Sequence, residues 1–354
     1  MQSPWLLHLD AIGARFAEDE AGALSFTEPR EEVARCTRGT IAVPLTHLGL
    51  IRVAGEDAAS FLQNLLSNDI KKLQPHNAQR NSFNSPKGRM LASFVVWRDG
   101  SDYLLQASAD ITPAIQRKLS MYVLRSKARL SDAGTELAAI GLAGPNVARV
   151  LDHLGLQLPP DAMQTSGEQI RVVRLEGPRV MLFTAIASAP ELWQKLVAAG
   201  VEPSGTVAWH WLDIQQGVPL ITAATQDEFV AQMLNFELVG GVSFQKGCYP
   251  GQEIVARTQY RGILKRRMAR VHLAGAARPL EGESVYSAAF GDQAAGTVAN
   301  VAAAPGGGFD ALVVAQIESL EGGDLRWNSP QGAPLEVRAR PYAPERSAPP
   351  LTRA

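Results

Sequence analysis

The chain is 354 residues long, 46% hydrophobic and 19% charged, which is enough apolar material for two or three packed cores and too much for a disordered chain. Lys plus Arg number 34 and Asp plus Glu 35, a formal net charge of -1 that excludes wrapping nucleic acid by bulk charge. Two widely separated cysteines, Cys36 and Cys248, exclude a disulfide framework and any Cys-x-x-Cys metal or cluster site.

No uninterrupted apolar run approaches the roughly 18 residues of a membrane span. The first residues carry no basic stretch followed by an apolar one, so no signal peptide is expected. A monomer in a reducing, cytosolic setting, away from membranes, is the simplest expectation. Residues 1–42 read as an acidic lead-in. Its first 32 residues hold seven acids against Arg15 and Arg30, and a solvated segment with one helix is expected.

Residues 50–53 then read as a strand, Gly55-Glu56-Asp57 as a turn, and 58–70 as an amphipathic helix. Phe61, Leu62, Leu65 and Leu66 share one face of that helix, and Asp57 is placed to cap its start. Residues 91–97 and 103–107 read as strands paired around Asp99-Gly100, and 112–123 as a helix opening on Thr112-Pro113. The strand–glycine–helix pattern returns at 140–154, where Gly144 matches Gly55, Asn146 matches Asp57 and Leu151 matches Leu62. Two related α+β units follow from that repeat. A strand at 180–184, a helix at 190–199 ending on Gly200 and a helix at 207–217 complete this part. Beyond Lys265, short strands at 271–273, 284–287, 294–299, 311–317 and 335–339 alternate with glycine-rich turns. They predict a small antiparallel barrel or sandwich, and the four prolines after residue 340 predict a loose tail.

The most distinctive run is Gly240-Gly241-Val-Ser-Phe-Gln-Lys246-Gly247-Cys248-Tyr249-Pro250-Gly251-Gln252-Glu253. Its four glycines permit positive φ and close approach of backbone to a ligand or another chain. Lys246, two residues from Cys248, could favour a thiolate; an inert packing cysteine is the plainer alternative. From Arg257 to Arg270 there are six cations (Arg257, Arg261, Lys265, Arg266, Arg267, Arg270) and no acid. Either a solvated strand face or an anion-binding locus fits, and Lys71, Lys72, Lys87 and Arg89 are candidates to extend it.

Lys246-Gly-Cys-Tyr-Pro-Gly-Gln-Glu253 resembles the K-G-C-[FYW]-x-G-Q-E signature of the YgfZ family, folate-binding, iron–sulfur-maintenance relatives of the glycine cleavage T-protein. Phe61-Leu-Gln63 with Asn68-Asp-Ile70, Pro86-Lys-Gly-Arg89, Asp213-Ile214 with Gly217-Val-Pro219, and 257–267 resemble further family elements in order. The resemblance spans roughly residues 43–340. It implies an α+β fold: two interleaved, ferredoxin-like units and a C-terminal antiparallel β-barrel around a central folate-binding hole. The units would comprise 43–135 with 205–262, then 136–204, then the barrel at 263–340. By the same resemblance 257–267 is a strand.

The implied cofactor is tetrahydrofolate or a derivative, and the implied role is that of an accessory protein in the assembly or repair of iron–sulfur enzymes. Its partners would be those enzymes or their assembly factors, with tRNA modification affected indirectly. Cys248 would be the functional thiol, with Lys246 beside it. Trp209, Gly247, Tyr249, Gln252, Glu253, Arg257 and Arg261 would form the folate site, and no metal ligand is expected. The family's second folate-contacting tryptophan is replaced by Leu48.

Aminomethyltransferases of this kind place an aspartate just after a Gly-Gly-Ile turn. Here no carboxylate occurs between Lys87 and Asp99, so Leu91 or Ala92 takes that place, which argues against a classical aminomethyltransferase. Two alternatives remain: a folate-dependent C1 transferase, and an RNA- or protein-binding module working through 257–270. No Gly-x-Gly-x-x-Gly after a strand and no Walker-type loop points to a dinucleotide enzyme or an NTPase.

Overall fold

The computed structural model describes residues 3–18, 20–260, 264–339 and 341–342. The first sheet runs in the order Ala78–Asn84, Met90–Asp99, Asp102–Ser108, Leu48–Ala54, Arg129–Asp132, with every pair antiparallel. The second runs Thr165–Ser166, Arg171–Leu175, Arg179–Ala185, Leu137–Ala143, Ile41–Pro44, Glu202–Pro203, and only its last pair is parallel. Ile41–Pro44 thus precedes the first sheet in the chain but lies in the second.

The repeat is physical. Leu48–Ala54 passes through Gly55 into the helix Ala58–Gln63, and Leu137–Ala143 passes through Gly144 into Val147–His153. Both glycines have positive φ (+111° and +128°), and a Cβ on either would run into a backbone carbonyl, that of Lys127 or of Gly39.

Several elements depart from expectation. The first helix stops at Gln63 instead of reaching Ile70, and only a short 3-10 turn, Ile70–Lys72, follows. The Ser67 amide, which would extend it, donates to Ser82 O, while Lys246 takes the carbonyls of Gln63 and Leu66. Asp57 does not cap that helix; its carboxylate accepts the Lys127 amide at 2.7 Å. The expected strand at 257–267 begins as the helix Gln252–Tyr260, opened by the Gln252 amide on Tyr249 O. That stretch buries Val255 alone and lacks the alternating apolar pattern a strand needs. Sheet structure starts at Arg266.

The lead-in is a packed layer with two helices, Pro4–Ala11 and Pro29–Arg38, and a ribbon of Arg15–Phe16 with Leu24–Ser25. Trp5, Leu9 and Val33 are buried. So is Glu32, which accepts the Phe26 and Thr27 amides and whose carboxyl burial pushes up. The acids counted as a solvated run therefore include one that ties the segment down.

The C-terminal strands form a curled half-barrel in the order Arg326–Trp327, Ser284–Tyr286, Gly296–Ala303, Phe309–Gln316, Arg266–Leu273, Leu335–Arg338. A single bridge, Arg326 with Pro334, approaches from edge to edge. Of the expected tail, Tyr342 is described, and its hydroxyl donates to Gly217 O at 3.1 Å. Among the described residues no helix is long and apolar enough to cross a membrane.

One apolar core lies on one face of the first sheet, around Ile51, Phe83, Phe94 and Leu105. Another joins the two α+β sheets, where Leu50, Trp97 and Leu104 meet Ile41, Val43 and Trp209 of the helix Thr206–Gln215. The second of these cores encloses the central cavity.

Candidate functional site

The candidate residues fall into two places. The first is the cysteine loop. Lys246 is only 6% exposed, and its ammonium donates to Gln63 O at 2.6 Å and to Leu66 O while lying 4.9 Å from the centre of the Tyr249 ring. It thereby satisfies carbonyls that the helix end leaves open. Burial pulls its pKa down to about 8, opposed by Asp69, and burial pushes the Tyr249 phenol up to about 12.

Cys248 sits between these two anchored side chains and is exposed. Gly251 packs on Gly88, so the Lys87-Gly88-Arg89 turn backs the loop. Gln252 opens the next helix half-buried, while Glu253 and Arg257 are exposed on it. An exposed thiol on an anchored loop can exchange with a disulfide, attack an electrophile or ligate a soft metal. Cys36 is its contrast: packed against the core, with burial holding its thiol up at about 12.

The second place is the central cavity, about 60 Å³, between the two α+β sheets and the helix Thr206–Gln215. Trp209 and Leu48 both line it, with Arg80, Ser93, Gln106 and Asp213. Arg80 and Gln106 come from a cross-strand row, Arg80–Val95–Gln106–Leu50, Ser93 from the next pair, Ser82–Ser93, and Asp213 from the helix Thr206–Gln215. This inward face of the first sheet is polar at Arg80, Ser82, Ser93 and Gln106 and apolar at Leu50, Trp97 and Leu104, whereas the other face carries Phe83, Phe94 and Leu105.

Two ion pairs close the cavity. Arg80 pairs with Glu176 at 2.5 Å, and Arg179 pairs with Asp213 at 2.8 Å, with its guanidinium 5.2 Å from the centre of the Trp209 ring. Burial raises the Glu176 pKa, but Arg80 and Arg179 outweigh it and hold the carboxyl below its usual range. Glu176 and Arg179 are the two ends of one turn. Gln106 Nε2, Ser82 Oγ and Arg80 Nε are buried without hydrogen-bond partners, an unfavourable state unless another polar group arrives.

None of residues 246–257 lines this cavity. The basic run divides as well. Arg267 is held by Glu237 at 2.5 Å and Asn235 at 3.0 Å, and Arg270 by Gln215 at 2.7 Å. Arg257 and Lys265 are exposed, and Arg261 lies outside the described residues. Arg80, Gln106 and Glu176 were missed in the sequence. A strand reading Ala-Gln-Arg-Asn-Ser-Phe-Asn looks like one with a wet face, and only the pairing shows that face to be internal.

Residues 14–243 match the family model described as the GCVT N-terminal domain. The tRNA-modifying protein YgfZ of Photorhabdus laumondii is 31% identical over 69% of this chain and 74% of its own length. That of Colwellia psychrerythraea is 30% identical over 65% and 70%. The chain belongs to the YgfZ family. Among solved structures, the glycine cleavage system aminomethyltransferase T of Bartonella henselae superposes with a TM-score of 0.78 at 19% identity, covering 96% of this chain and 97% of the other. YgfZ membership and the T-protein-like mixed α/β fold thus agree with the signature at 246–253.

Proposed function

We propose that this chain binds a reduced folate, tetrahydrofolate or a derivative, in the central cavity and serves as an accessory protein in the assembly or repair of iron–sulfur enzymes. In this reading two interleaved ferredoxin-like units, 43–135 with 205–262 and 136–204, and the barrel-like unit 263–340 surround the folate hole. An effect on tRNA modification, which the relatives' name mentions, follows indirectly through iron–sulfur enzymes of that process.

The observation that carries the reading is the inward polar row beside Trp209. A pterin is a flat ring with donors and acceptors on its edge. It needs an apolar plate and buried polar partners, which Trp209, Gln106, Ser93 and Arg80 offer. The chemistry fits; the volume of about 60 Å³ is below the roughly 300 Å³ of an ordinary ligand pocket. Binding therefore requires the cavity to widen.

Reduced folate would supply one-carbon or redox chemistry at its ring. This chain's residues orient the ring and keep water from it, while Cys248 presents a thiol on a separate, anchored loop. Asp213, the one carboxylate lining the cavity among the described residues, is engaged by Arg179, which favours the accessory reading over aminomethyl transfer. Calorimetric titration of tetrahydrofolate into the wild type and a Trp209→Ala variant tests the site, with affinity expected to fall at least tenfold. Equal affinity removes Trp209 from it, and no binding by either protein overturns the folate reading. For the thiol, a Cys248→Ala chain that fully restores iron–sulfur enzyme activity in a deletion strain would end its proposed role.

A further inference from the structure

On the far side of Leu48 lies a second chamber, of about 520 Å³, which shares that side chain as a wall with the central cavity. Its volume falls within the range of small-molecule sites. It is built where the lead-in docks: Trp5 and Phe16 from residues 3–25 face Leu45, Leu50 and Leu137 of the two α+β sheets.

Among the described residues the lining carries one charged side chain, Asp132, and no cationic one. Asp132 is exposed at the rim, one oxygen accepting the Gly134 amide at 2.8 Å. Two polar groups of the lining are buried without partners: the indole N–H of Trp5, a residue 3% exposed, and the Ser3 hydroxyl. The other lining hydroxyls are committed, Thr46 to Gly22 O and Thr112 to Ser108 O. The site therefore offers an apolar body, two unspent donors, the half-buried Gln116 amide and a carboxylate.

We propose that this chamber is a binding site, separate from the folate cavity, for an apolar-bodied organic amine that carries a hydrogen-bond acceptor. The ammonium pairs with Asp132, the body packs on Trp5 and Leu50, and the acceptor takes the Trp5 or Ser3 donor. The lone carboxylate selects against organic anions such as fatty acids and nucleotides, which would meet a like charge with no cation to offset it.

The test uses two dyes that fluoresce on binding: auramine O, an apolar cation, and 1-anilinonaphthalene-8-sulfonate, an apolar anion. Auramine O is expected to saturate at one equivalent, and the sulfonate to bind at least tenfold more weakly. Ala109→Trp, a half-buried lining position, fills the chamber and should abolish auramine binding while circular dichroism stays unchanged. Asp132→Asn, at an exposed position that folding tolerates, should cost about tenfold in auramine affinity and strengthen sulfonate binding, because the like charge is gone. Equal affinity for both dyes, or auramine binding unmoved by Asp132→Asn, overturns the proposal. No tetrahydrofolate enters the assay, so its result is independent of the folate reading.

Discussion

Gly88 and Gly251 meet backbone to backbone: a Cβ on Gly251 would lie 2.5 Å from Gly88 Cα and 2.6 Å from Ser85 O. Both have positive φ, +72° and +76°. The turn Lys87-Gly88-Arg89 and the cysteine loop are far apart in sequence, yet each requires the other's missing side chain. Gly251→Ala is expected to cost about 2 kcal/mol or more, from left-handed backbone plus the displaced turn. Gly247→Ala, beside the same cysteine but with nothing within 4 Å of its Cβ direction, should be nearly neutral. Urea unfolding of the two variants makes the comparison, and equal losses would mean that the contact does not hold the loop.

Lys246 gives the loop a pH signature. Its folded pKa is about 8, against an unfolded value near 10.5. Between those values the unfolded chain binds more protons, so stability rises with pH there, by at most about 1.4 kcal/mol per unit. Below about pH 8 both states carry the charge and this gain is absent. Tyr249, whose folded pKa is about 12 against 10.0, acts oppositely above pH 10, where the unfolded phenol loses its proton first. The contribution of Lys246, read as wild type minus Lys246→Met in unfolding free energy, is therefore expected to climb from pH 8 to 10. A flat difference over that interval would show that the ammonium is not desolvated in the folded chain.

The sequence disclosed what is local and repeated. Gly55 and Gly144 mark the two copies of one unit because a strand-to-helix turn that presses on a carbonyl excludes a side chain. The signature at 246–253 was legible because its residues are contiguous. The cavity was not: Arg80, Gln106 and Glu176 come from three strands or turns, and the inward face is set by strand pairing. The strand that the family motif implies at 257–267 starts only at Arg266, because 257–260 lie in the helix Gln252–Tyr260, where Val255 is the one buried side chain. The cationic run likewise looked continuous until Arg267 and Arg270 turned inward to Glu237 and Gln215.

Trp209 packs against both Gly141 and Arg179, and this predicts an effect on ligand affinity from a residue outside the cavity lining. A Cβ on Gly141, in the strand Leu137–Ala143, would come within 2.6 Å of Trp209 Cε3. The Arg179 guanidinium, on the same face of that sheet, lies 5.2 Å from the centre of the same ring and is itself paired with Asp213 on the cavity wall. Gly141→Ala must push the indole, and a close-packed core transmits that push to the Arg179–Asp213 pair. The overpacking should cost about 1–3 kcal/mol in thermal or urea unfolding. Tetrahydrofolate affinity should fall together with stability. Combining Gly141→Ala with Trp209→Phe, which shortens the ring, should restore most of the stability but not the affinity, because the plate itself is then smaller. A Gly141→Ala chain with unchanged unfolding and unchanged tetrahydrofolate binding would show that the indole is free to move, and Trp209 would then lose its place as a fixed wall of the site.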